Sequence, residues 1–151
     1  MIGLGGILAA SLCILFLVEV LSAILYAKAQ MFKPFKETER KRIKPEGREY
    51  GQRALTLGGL TFASIAILFD AFRSSLAAVA DVFLLLALSL GFLFLSYSTE
   101  VLVLQARIFW VIEDKSLSIG YLAIVFALVT LFQFILPAVS ALSLNHIRCL
   151  F

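Results

Sequence analysis

Two glutamates interrupt long apolar runs, and they are the residues of this chain best suited to chemistry. Glu19 stands inside LFLVEVLSAILY, and Glu100 follows the 18 uncharged residues VFLLLALSLGFLFLSYST. Each keeps hydroxyls at helical spacing. Ser11, Leu15, Glu19, Ser22 and Tyr26 follow one another at steps of four, four, three and four. Ser96 and Tyr97 precede Glu100 by four and three residues, and Arg107 lies two turns after it. Such steps line groups along one helix face. A charge at mid-membrane costs about 3 kcal/mol on insertion scales, so each acid is expected to turn inward, find a partner or hold a proton. Three roles are open: accepting hydrogen bonds from hydroxyls or Arg107 and so holding helices together, sharing a proton or cation as a carboxylate pair, or ligating a metal. A metal is poorly served, because the single histidine, His146, lies at the opposite end of the chain. Neither a metal nor a cofactor is expected.

The elements that must position these acids follow from composition. The chain is 62% hydrophobic and 15% charged over 151 residues, whereas a soluble domain carries roughly 25% charged residues. An all-α integral membrane protein is expected, a single domain of four transmembrane helices at about 2–27, 54–72, 82–106 and 117–144. The first and third helices run in one direction. Counted from the basic residues that bound those spans, Lys28 and Arg107, Glu19 and Glu100 lie about 13 and 10 Å deep, at nearly one level.

Orientation follows from charge. Nine of the thirteen basic residues (Lys28, Lys33, Lys36, Arg40, Lys41, Arg42, Lys44, Arg48 and Arg53) fall between the first two spans, and Arg107 and Lys115 between the last two. Arg73 and Arg148 are left for the other side. The positive-inside rule then puts both termini outside and the basic loop between helices 1 and 2 in the cytoplasm, with the plasma membrane as the expected location. Met1 is expected to begin a retained first span, since no basic region or small-residue cleavage site marks a removed signal. Pro34 and Pro45 confine helix in the basic loop to about two turns. Its Lys36, Arg40, Lys41, Arg42 and Lys44 set topology and can hold anionic lipid headgroups, while nothing in the loop suits nucleic acid.

Weaker signals complete the reading. Gly59 and Ala63, widened by Gly58, Thr61 and Ser64, offer a small face for helix packing. Pro137 is expected to kink the fourth helix. Asp70, Arg73 and Asp81 bracket the short hairpin opposite the basic loop, as an interfacial ion-pair group. Trp110 and Phe109 suit an aromatic anchor at the inner interface. Cys13 and Cys149 are too far apart in the topology for a disulfide, and no nucleotide, hydrolase or redox motif is present.

One stretch resembles a known family. Glu49, Tyr50, Arg53 and Ala54 in REYGQRALTL are similar to the E-R-V-x-R-A-x-x-N stretch of the MAPEG-type membrane enzymes, which include glutathione transferases of about 150 residues with four helices. Leu57 stands where that family has asparagine, and SYSTEVLVLQAR lacks its arginine and tyrosine pattern. The resemblance implies a glutathione-dependent homotrimer with Arg53 near the tripeptide. The residues themselves favour an accessory or structural subunit of a larger membrane complex, without catalytic activity of its own, contacting other membrane subunits and lipid. A small oligomeric proton or cation transporter using Glu19 and Glu100 is the alternative.

Overall fold

The computed structural model describes residues 3–27, 32–73, 75–103 and 106–148; the side chains of residues 27, 40, 42–44, 47, 101 and 138–148 lie outside that description. Lys28, Cys149 and the side chains of Arg40, Arg42, Lys44, His146 and Arg148 are thus among the sequence candidates outside it. Helix α1 spans Leu4–Ala27, α2 Glu37–Ala71, α3 Ala80–Thr99 and α4 Arg107–Arg148, with 3-10 turns at Leu76–Val79 and Glu100–Leu102. No strand occurs among the described residues. Each helix holds a stretch long and apolar enough to cross a membrane: Leu4–Tyr26, Arg48–Ala71, Leu76–Thr99 and Arg107–Pro137. Only helices satisfy their own backbone groups in hydrocarbon, so four such stretches fit a multi-pass integral membrane protein.

Three helices differ from the sequence expectation. α2 is continuous for 35 residues through Pro45 and absorbs most of the basic loop. The residues before Pro45, ETERKRIK, are strong helix formers apart from Thr38 and Ile43, and the Lys36 N–H is capped by Glu39 Oε2 at 3.1 Å. Proline removes one intrahelical bond, which water can replace at headgroup level. α4 begins at Arg107, so IEDKS forms its second and third turns and Lys115 is helical instead of lying in a loop. α3 ends at Thr99, and Glu100 opens the 3-10 turn beyond it. At its far end α4 continues as helix through Pro137.

α3 is the central helix. Its buried residues Val82, Leu85, Ser89, Phe92, Ser96 and Thr99 recur at steps of three and four, the spacing of a packed helix stripe. α4 answers with a run of mostly small residues, Glu113, Ser116, Gly120, Ala123 and Ala127, all buried. Leu93 packs directly on Gly120. Small residues let the two backbones approach closely, which is how helices associate without a hydrophobic drive in lipid. The α3–α4 interface is the most extensive in the bundle, followed by α2–α3. α1 docks on α3 and α4 through Gly5, Ala9, Leu12 and Phe16, with Phe16 and Phe92 in ring contact at 5.0 Å.

Candidate functional site

Ring contacts and glycine contacts fix the register of the polar residues. Gly5 meets Asp81 and Phe16 meets Phe92, the same offset of 76 residues, so α1 and α3 run parallel. Glu19 is therefore level with Leu95, and Glu100 sits about 8 Å closer to the basic end, meaning the end of the bundle where α2 and α4 begin. The two acids take different neighbours. Glu19 reaches Lys115 on α4, with Nζ and Oε2 3.3 Å apart and both side chains about 40% exposed. Glu100 lies over α2, where a methyl group at Gly51 would run into its carboxylate.

The hydroxyl stripe expected beside Glu19 does not enter the bundle. Ser11, Leu15 and Ser22 are exposed and Tyr26 is 94% exposed. Ser22 Oγ donates to the Glu19 carbonyl at 3.0 Å and Ser11 Oγ to that of Ile7 at 2.8 Å, the usual way a lone hydroxyl is satisfied in an apolar helix. The face of α1 that packs runs through Gly5, Ala9, Leu12 and Phe16 to Glu19 at steps of four, three, four and three. On α3, Ser96 is buried while Tyr97 is exposed.

Arg107 is occupied elsewhere. Its Nη2 donates to Glu39 Oε2 at 2.8 Å, and its guanidinium carbon stands 5.1 Å from the centre of the Phe35 ring. Phe35 in turn meets Trp110 edge-on at 6.5 Å. Glu39 thus joins the N–H that starts α2 to the first residue of α4. Lys36 and Lys41 are exposed beside this junction.

Gly59 and Ala63 face away from the bundle. A Cβ at Gly58 or Gly59 would meet nothing within 4 Å. A shallow groove of about 190 Å³ beside them runs past Ala54, Leu55, Leu90 and Phe94 to Tyr97. On the opposite flank α2 and α4 splay apart. An open cleft of about 870 Å³ between Glu49, Arg53, Leu57, Ser118 and Tyr121 is followed by a second of about 320 Å³ reaching from Leu57 to Leu131. Arg53 and Glu49, the residues that carry the family resemblance, are paired one turn apart at the mouth of the first. At the opposite end, Asp81 lies against Gly3 and Gly5 of α1.

The residue that sequence reasoning passed over is Glu113. It has no exposed surface, and neither carboxylate oxygen has a hydrogen-bond partner. The signal lay in its spacing: Glu113, Ser116, Gly120, Ala123 and Ala127 form one stripe once IEDKS is read as helix. Among the described residues no group of three or more histidines, cysteines or acids is placed to hold a metal. Comparisons with protein families, with curated proteins and with solved structures give no match to this chain.

Proposed function

We propose that this protein is an accessory subunit of a larger membrane complex and that it docks a neighbouring transmembrane helix along α2. The observation that carries the reading is the open Gly58–Gly59–Ala63 face, where a Cβ at either glycine would meet nothing within 4 Å among the described residues. A small-residue face of this kind brings backbones close and is where helix pairs form in lipid. In the same reading the basic end faces the cytoplasm of a plasma membrane, and Lys36, Arg40, Lys41, Arg42 and Lys44 meet anionic headgroups at about 1 kcal/mol each. Glu19 serves as a helix contact through Lys115, which favours the packing role over ion coupling for that residue. Extraction in mild detergent is expected to yield a stable complex containing other polypeptides. Gly59→Leu should release them while the subunit itself stays folded. Recovery of this chain alone, under conditions that keep other complexes whole, rejects the reading.

The α2–α4 cleft favours a second reading, a glutathione-dependent membrane enzyme of MAPEG type. Its mouth presents Arg53, Glu49 and Tyr121 above an apolar channel, a shape that accepts a polar tripeptide beside a lipophilic molecule. Calorimetry with glutathione should then give saturable binding that Arg53→Ala removes. No heat at millimolar glutathione ends this option.

A further inference from the structure

Glu113, Ser96 and Ser116 share a layer of the α3–α4 interface. Ser116 follows Glu113 by one helical turn. Leu93 packs on Gly120, and in an antiparallel pair this sets Ser96 opposite the turn that holds Ser116. All three side chains are fully buried, and the polar atoms of all three lack partners. Ser89, two turns earlier on α3, is the other fully buried hydroxyl without a partner among the described residues, and most hydroxyls of the bundle behave differently. Ser64, Ser118 and Thr130 each donate to the carbonyl four residues earlier, whereas Ser96 and Ser116 leave that bond unmade.

We propose that Glu113, Ser96 and Ser116, with Glu100 beside them, form a buried binding site for a monovalent cation, a sodium ion or a proton. A carboxylate withdrawn from water requires a balancing positive charge. The basic side chains of α4 and α2 that pair in the structure do so with other acids: Lys115 with Glu19 of α1, Arg107 through Nη2 with Glu39, its buried Nε having no partner, and Arg53 with Glu49 of α2. The charges that act on Glu113 from α3 and from its own helix are those of Glu100 and Asp114, both negative. α2 contributes the Gly51 backbone, over which the Glu100 carboxylate lies. The surroundings attract a cation and are built from hard oxygen donors, which suit an alkali ion or a proton and not a transition metal. This site shares Glu100 with the carboxylate pair expected from sequence but replaces Glu19 by Glu113, and it does not depend on the docking face of α2.

The test uses the full chain purified in detergent. Thermal unfolding is followed while sodium chloride replaces choline chloride at constant ionic strength, and infrared difference spectra report any protonated carboxyl group at neutral pH. A saturable rise of the unfolding midpoint with sodium, absent in Glu113→Gln, identifies a sodium site. A midpoint indifferent to sodium, with a protonated-carboxyl band that Glu113→Gln removes, identifies a proton site. Glu49→Gln, outside the layer, should keep the wild-type response. Should Glu113→Gln fail to fold, Ser116→Ala must weaken sodium binding about tenfold or move the carboxyl band. Wild-type protein with neither response, or a response unchanged by these substitutions, overturns the proposal.

Discussion

A methyl group placed on Gly5 would lie 2.5 Å from Cβ and 2.8 Å from Cα of Asp81. Neither atom can move without shifting the start of α3, so Gly5→Ala is expected to cost about 1–3 kcal/mol as an overpacked contact. Chemical unfolding in detergent measures this, with Gly91→Ala, which meets nothing within 4 Å, as the neutral comparison. Glu19→Leu should weaken docking of α1 by about 1 kcal/mol. Removing Lys115 as well should recover part of that loss in a double-mutant cycle, because an unpaired charge is then no longer left behind. Additive losses would separate the two residues. That Glu19 needs a partner was legible from its place in an apolar run. The partner was not, because Lys115 looks like a loop residue until the start of α4 is known. Glu113 escaped for the same reason: its charge marks it as surface, and only its phase with Gly120 and Ala123 marks it as interior.

At the level of elements, composition located all four helices, since apolar runs of about 20 residues between charges have few other solutions in a membrane. Their ends at the basic side were less legible. Proline argues for a stop, yet a single lost hydrogen bond is cheap where water reaches the backbone, and the flanking Glu, Lys and Arg favour helix. α2 is therefore expected to behave as one rod through Pro45. Spin labels at positions 38 and 56 should report backbone positions about 27 Å apart with a narrow distribution, the rise of 18 helical residues. A broad or much shorter distribution would mean a hinge at the proline. The small-residue pair Gly59 and Ala63 was expected from sequence as a packing face, yet both are exposed in the fold, because which face α2 turns to its neighbours depends on its rotation, and the sequence contains no record of that.

For the whole molecule, orientation rests on the charge asymmetry alone. With Cys13 and Cys149 replaced, a cysteine at Thr38 should resist an impermeant thiol reagent in intact cells and react after lysis; labelling of intact cells would invert the topology. The order of the helices along the chain bears on assembly as well. The most extensive contact joins α3 and α4, both made after α1 and α2, and α1 and α2 share no sizeable interface among the described residues. α1 is made before both of the helices it packs on, and Lys115 is synthesised 96 residues after Glu19. At ordinary elongation rates that interval is about 5 to 20 s. For that time Glu19 is without the lysine it meets in the finished bundle, so α1 gains its ion pair only once the start of α4 has been made.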